Sequence, residues 1–257
     1  MHFEPSNDCL GAAFAIETAP TPLPDPYLVS YNPSAAALLD LPETPSAELV
    51  KVLAGNEAAS GSLPTAAVYA GHQFGSWVPQ LGDGRALSLG AIRNARAEHW
   101  EVQLKGSGQT PFSRMGDGRA VLRSTIREYL CSEAMSALGI PTTRALAIVG
   151  SDDPVYRETV ETAAVLTRLS PSFVRFGTFE YFYYRGEHSQ LETLADLVIE
   201  RHFPNLPPKP ARYGAFLREV AIRTARMIAG WQTVGFQHGV MNTDNMSILG
   251  LTLDYGP

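Results

Sequence analysis

The segment Gln237 to Pro257, QHGVMNTDNMSILGLTLDYGP, concentrates three side chains suited to holding a hard divalent cation: Asp244, Asn245 and Asp254. Carboxylate and amide oxygens are the donors such a cation takes. Magnesium in particular binds few protein ligands and leaves its other octahedral positions to water and phosphate oxygens. Asp244 is also the only carboxylate between His238 and Asn245. Asp, Asn and Gly equally favour turns and caps, and taken alone the three residues fit that plainer role as readily.

Upstream residues could serve an anionic ligand held by such a cation. Residues 100–105 alternate Trp100, Val102 and Leu104 with Glu101, Gln103 and Lys105, a period of two that predicts a strand with one apolar face and Lys105 pointing away from it. Residues 119–138 place Leu122, Ile126, Tyr129, Leu130 and Leu138 at helical spacing, and Gly139 with Pro141 ends the run. Glu128, mid-helix, is the candidate partner for Lys105, with Glu133 the alternative; two solvated charges are the plainer reading. Gly82-Asp83-Gly84-Arg85 and Gly116-Asp117-Gly118 are glycine loops whose amides can approach phosphates, although most such pairs are ordinary turns. Arg168 and Arg175 flank a turn at Pro171 and suit bidentate phosphate contacts, or else lie on the surface. The linker 106–114 could fold over a nucleotide. His72, Gln73, Phe74 and Trp77 could line a pocket or form a packed aromatic cluster.

The elements that must position these residues are framed by the whole chain. Its 257 residues suit one large domain or two lobes. Lys plus Arg is 20 and Asp plus Glu is 26, a formal charge of 20 − 26 = −6, so no basic balance points to nucleic acid. Two distant cysteines, Cys9 and Cys131, make a disulfide framework improbable; Cys131 is expected as a buried thiol, and a reducing compartment, the cytoplasm, follows. Neither a signal peptide nor a membrane span is predicted. Residues 1–65, rich in Pro, Ala and acidic residues, read as an extension of short helices and turns that packs on the lobes. Strands are predicted at 86–92, 143–149 and 163–169, and helices at 191–202 and 212–235, the last with Leu217, Val220, Ala221, Thr224, Ile228 and Trp231 as one apolar stripe. Met227 and Trp231 belong to the core.

Lysine on a strand, acid on the next helix, then a His loop with Asn and an Asp-Tyr-Gly turn is an order that resembles the protein-kinase-like fold. Such loops carry their base five residues before the Asn, and here that position is Val240, which accepts no proton. The runs YAGHQFGSWVPQLGDGRA, QLKGSGQTPFSRMGDGRAVLRSTIREYLCSEAM and HGVMNTDNMSILGLTLDYGP together resemble the selenoprotein O family, protein adenylyltransferases of pseudokinase fold. The resemblance implies an α+β, bilobal architecture: the extension at 1–65, an antiparallel-sheet N-lobe at 66–165, and a mainly helical C-lobe begun at 166–257 and incomplete, the chain being a fragment.

It implies ATP bound inverted relative to kinases, with AMP passed to Ser, Thr or Tyr hydroxyls of proteins, this one included. Gly82, Gly84, Arg85, Lys105, Asp117, Gly118, Arg168, Arg175 and Asp254 would contact nucleotide. Glu128 would pair with Lys105, Asp244 would accept the proton, and Asn245 and Asp254 would hold magnesium or manganese. No nucleic acid or membrane partner is implied. Two alternatives stay open, a phosphotransferase with a shifted base and a non-catalytic nucleotide-binding scaffold.

Overall fold

The computed structural model describes residues 2–4 and 11–256; Cys9 lies outside them. Strands run β1 (Ala15–Glu17), β2 (Tyr27–Tyr31), β3 (Thr65–Ala67), β4 (Gly71–Gln73), β5 (Ser76–Val78), β6 (Ala86–Arg93), β7 (His99–Lys105), β8 (Ala120–Val121), β9 (Arg144–Tyr156) and β10 (Val160–Ser170). Helices are α1 (Pro33–Ala36), α2 (Ala47–Leu53), α3 (Leu122–Ala137), α4 (Phe176–Tyr184), α5 (His188–His202) and α6 (Arg212–Thr233). The main sheet has the order β1-β3-β6-β7-β10-β9-β2, with β8 added to β10 and β4-β5 a separate hairpin. Its paired strands are antiparallel, so the architecture is α+β.

The first 65 residues do more than pack on this sheet: β1 pairs with β3 and β2 with β9, so the extension supplies both edges. Between those edges it lays α1 and α2 over one sheet face, where Leu23, Leu39 and Leu53 meet Val102, Leu104 and Val149 in a continuous core. The apolar face of β7 is therefore the one covered by the extension. Its polar face is buried as well, with Glu101 and Gln103 both at 0 % exposure. Burial of such groups requires hydrogen-bond partners: Glu101 accepts from Phe173 N at 2.9 Å, and Gln103 bonds Asp83 and Arg168 in the site.

Helix α3 turns a different face inward from the one its apolar pattern predicts. Thr125, Glu128, Ser132 and Met135 are buried, whereas Ile126, Leu130 and Leu138 are 38, 60 and 60 % exposed. Leu122 and Tyr129 still touch the sheet, against Ile148 and Leu166. The helix begins at Leu122 because Ala120 and Val121 pair with β10. Its rotation is set by Glu128, which has to face two cations of the sheet. Cys131 is a free, half-buried thiol.

In α6 the buried line is Phe216, Val220, Met227 and Trp231. Leu217, at 71 % exposure, and Ala221 point outward, a correction of one residue, or about 100° of helix, to the predicted stripe. Met227 and Trp231 are core, packed with Met135, Ile140, Met246 and Tyr255. No helix among the described residues is long and apolar enough to cross a membrane.

The α3 orientation sets a stability contrast. Met135→Ala should cost about 2–5 kcal/mol, whereas Leu130→Gln should stay within about 0.5 kcal/mol. Urea denaturation of both variants measures this, and a larger loss for Leu130→Gln would contradict the orientation.

Candidate active site

A cleft of about 430 Å³ opens between the sheet and the helical side. At its centre the Asp254 carboxylate meets three cations: Lys105 Nζ at 2.6 Å, Arg168 Nη1 at 2.7 Å and Arg175 Nη1 at 3.0 Å. Glu128 takes two of the same cations from the other side, Lys105 at 2.5 Å and Arg168 at 2.8 Å. Arg168 is 1 % exposed and also donates to Leu253 O at 2.8 Å and to Gln103 Oε1. The sheet register explains the convergence, because Arg168 pairs directly with Gln103, two residues before Lys105 on the same face of β7. Arg175 arrives separately, as the residue just before α4. Glu133, the alternative partner for Lys105, instead pairs with Arg144 at 2.8 Å.

Burial opposes ionisation of Asp254, yet Lys105, Arg168 and Arg175 together hold its pKa well below the usual carboxylate range. The turn that carries it is fixed from α6: Trp231 Nε1 donates to Thr252 Oγ1 at 2.9 Å, and the Thr252 main chain bonds Pro141 and Thr143. His238 stacks on Trp231 at 5.3 Å. Burial lowers its pKa, which keeps the ring neutral, and Nδ1 accepts from Val240 N at 3.2 Å.

Gly84, Arg85, Asp117 and Gly118 line the cleft, as do Arg119, Arg157 and Asn245. Gly82 does not; at φ +123° it lies behind, where a Cβ would stand 2.4 Å from the Phe112 ring. A Cβ on Gly118, at φ +70°, would be 2.1 Å from the Gly108 carbonyl, so that loop crossing also requires glycine. Asp117 is gripped by Arg157 through two bonds of 2.7 and 2.9 Å, which lower its pKa. The 106–114 linker braces the first loop: Thr110 Oγ1 donates to Asp83 O at 2.6 Å and Ser113 Oγ to Gly84 O at 2.5 Å.

Asp244 is buried and is not among the cleft-lining residues. Its Oδ2 accepts from Gln73 Nε2 at 2.9 Å, while Oδ1 is buried with no hydrogen-bond partner among the described residues. The β4-β5 hairpin holds this loop further, with His72 N on Thr243 Oγ1 at 2.8 Å and Phe74 N on Asn242 Oδ1 at 3.1 Å. Glu180 ties the two together, accepting from Thr243 Oγ1 at 2.5 Å and lying 3.0 Å from His72 Nδ1. The aromatic cluster of this hairpin is His72 and Trp77 with Tyr184; Phe74 stands apart at 80 % exposure.

Asn245 donates Nδ2 to Val240 O at 3.1 Å, which leaves its oxygen as the end for a cation. No group of three or more His, Cys, Asp or Glu suited to a metal ion occurs among the described residues. An Asn oxygen and a carboxylate lining one cleft fit magnesium, which completes its shell with water and phosphate.

Asp83, Tyr69, Arg157 and Glu180 complete the arrangement and are not picked out by sequence, whereas Gln73, one of the candidate pocket residues, reaches Asp244. Asp83 sits inside a motif notable for its glycines. Gln103 carried a usable signal, since it shares a face with Lys105.

Fold and cleft together define an α+β protein with a recess whose lining gathers Lys105, Arg168 and Arg175 around Asp254. The profile of the family described as protein adenylyltransferase SelO matches residues 1–257, and the chain belongs to that family. It is 63 % identical over 250 residues to the protein nucleotidyltransferase YdiU of Thiobacillus denitrificans, covering 96 % of this chain and 51 % of that protein. The protein of the same name from Myxococcus xanthus is 60 % identical over 259 residues, covering 100 % and 53 %. That from Pseudomonas aeruginosa is 57 % identical over 250 residues, covering 96 % and 51 %. The chain thus spans about half the length of these relatives.

The depressed Asp254 pKa fixes a pH dependence. Its stabilising contribution is full above the unfolded-chain value of about 3.9 and is lost as pH falls through the lower folded value. Asp254→Asn leaves three cations short of a carboxylate and should cost about 3 kcal/mol or more near neutrality. The gap between wild type and variant in denaturant midpoints should be constant from pH 7 to about 4 and close below that; a gap that widened on acidification would refute the assignment.

Proposed function

We propose that this chain forms the nucleotide-handling part of a protein adenylyltransferase, which transfers AMP from ATP to Ser, Thr or Tyr hydroxyls of proteins, itself among them. The observation that carries this reading is the convergence of Lys105, Arg168 and Arg175 on Asp254 inside the cleft. The cleft is lined by six cations, Arg85, Lys105, Arg119, Arg157, Arg168 and Arg175, against the carboxylates of Asp83, Asp117 and Asp254. In a chain of formal charge −6 that local excess of three suits a triphosphate.

In this reading Lys105, Arg168 and Arg175 exchange part of their hold on Asp254 for phosphate oxygens, and Glu128 keeps Lys105 and Arg168 in place. Gly82 shapes the first loop, while Gly84, Arg85, Asp117 and Gly118 contact the nucleotide. Asn245 and Asp254 hold magnesium, or manganese in its place, which when bound neutralises phosphate charge. The acceptor hydroxyl oxygen attacks the α-phosphorus, the bond to pyrophosphate breaks, and the proton passes to Asp244, whose Oδ1 has no hydrogen-bond partner among the described residues. The arginines and Lys105 stabilise charge developing on pyrophosphate.

The kinase-like bilobal layout, with lobes at 66–165 and 166–257, is supported by a last sheet strand that ends at Ser170 and is followed by the helices α4, α5 and α6. The inverted nucleotide is supported by Val240, which puts no base where kinases carry one.

Full-length protein incubated with a protein mixture, magnesium and ATP labelled at the α or the γ position tests the reading. Label from the α position alone is expected; label from γ alone would replace it with phosphotransfer. Asp254→Ala should abolish labelling. Lys105→Ala should lower the rate by about 10²-fold yet leave it above background, because two arginines share the phosphates; a complete loss would disprove that sharing.

A further inference from the structure

Asp83 lies in the inner wall of the cleft at 3 % exposure. Four donors converge on its carboxylate: Tyr69 Oη at 3.1 Å and Arg175 Nη2 at 3.5 Å on Oδ1, Gln103 Nε2 at 3.2 Å and Ala67 N at 3.4 Å on Oδ2. Both oxygens are acceptors, as in an ionised carboxylate, and a buried charge of that kind requires a counter-charge. Arg175 is the cation that meets it. Gln103 then turns its Oε1 to Arg168 Nη2, so Asp83 reaches the second arginine through one amide. The other nitrogen of Arg175 spans Asp254 Oδ2 at 3.0 Å and Asp244 O at 2.7 Å, and the Tyr69 ring lies 4.9 Å from its guanidinium carbon.

We infer that Asp83 is a positioning residue that anchors Arg175, keeping it aimed into the cleft when Asp254 is taken up by ligand. The inference rests on the reading of the cleft as a nucleotide site. The two arginines differ in what remains to them. Arg168 keeps Glu128 and Leu253 O when Asp254 is withdrawn. Arg175 has carboxylate partners only in Asp83 and Asp254 among the described residues. Without the charge of Asp83 it stays on Asp254 and competes with the incoming ligand.

The test is a double-mutant cycle on ATP binding, in full-length protein with magnesium, by calorimetry. Asp83→Asn and Arg175→Lys should each weaken ATP about tenfold, and the double variant should bind within about twofold of Arg175→Lys alone. A residue that merely supports the fold would give losses that multiply. Multiplied losses, or unchanged or tighter binding in Asp83→Asn, would overturn the role of Asp83 while leaving the nucleotide reading intact. A wild-type protein that binds no ATP would overturn both. Should Asp83→Asn fail to fold, Tyr69→Phe decides: it removes one donor to Asp83 and leaves the ring. It should weaken ATP about threefold in the wild-type background and not at all beside Arg175→Lys; the same loss in both backgrounds would overturn the inference.

Discussion

The Asp254 carboxylate, shared by Lys105, Arg168 and Arg175, is the contact on which the rest of the molecule depends. Each of these ions has left water at a cost of several kcal/mol, about as much as a pair regains, so no single pair would hold the group together. What holds it is the set: Glu128 gives a second carboxylate to Lys105 and Arg168, and Asp83 a second one to Arg175. That requirement explains local features that otherwise look like faults. The polar face of β7 is buried because Gln103 must lie between Asp83 and Arg168. Helix α3 shows Ile126, Leu130 and Leu138 to solvent because its rotation is fixed by Glu128.

Delivering Asp254 to that point is a matter of bracing from distant segments. Its turn hangs from Thr252, which receives Trp231 from α6 and bonds the main chain at Pro141 and Thr143 before β9. The β4-β5 hairpin crosses to the 242–245 loop, a contact between residues 171 positions apart for His72 and Thr243. Closing so long a loop adds only slowly to the entropic cost as length grows, and the sheet between them has already fixed most of the chain. The site is therefore assembled late in the logic of the fold, from pieces whose own positions are set by apolar cores on either side.

Much of this is legible in the sequence. Alternation along residues 100–105 marks β7 and the side on which Lys105 lies, and Met227 and Trp231 read correctly as core. The pattern misleads where a helix borders the site. Apolar spacing in α3 and α6 assumes that the most hydrophobic stripe turns inward, and at α3 the charge of Glu128 outweighs it. In α6 the predicted Val220 and Trp231 are buried, but Phe216 takes the inward place expected of the exposed Leu217 because it packs against Phe179 and Phe203. Asp83 and Glu180 could not be read locally, since their partners are between 14 and 108 residues away and nothing in their neighbours announces them.

Val240 and Asp244 show how the same loop separates shape from chemistry. Val240 contributes its carbonyl, which takes the Asn245 amide, and its N–H, which goes to His238. Both bonds belong to the main chain, so the side chain there is free to be apolar and the loop keeps its course. The one carboxylate of the loop is then adjacent to Asn245 and tethered by Gln73 from another element, outside the cationic lining of the cleft. Its Oδ1 is buried with no hydrogen-bond partner among the described residues, an unmade bond of the kind that costs about 1–3 kcal/mol. In the proposed transfer a proton from the acceptor hydroxyl would relieve that cost, whereas Lys105, Arg168 and Arg175 keep Glu128 and Asp83 as carboxylate partners. The Asp244 carboxylate meets none of the cleft cations among the described residues, although its main-chain oxygen accepts from Arg175 Nη1 at 2.7 Å, and the hairpin that tethers it through Gln73 thereby joins the proposed site.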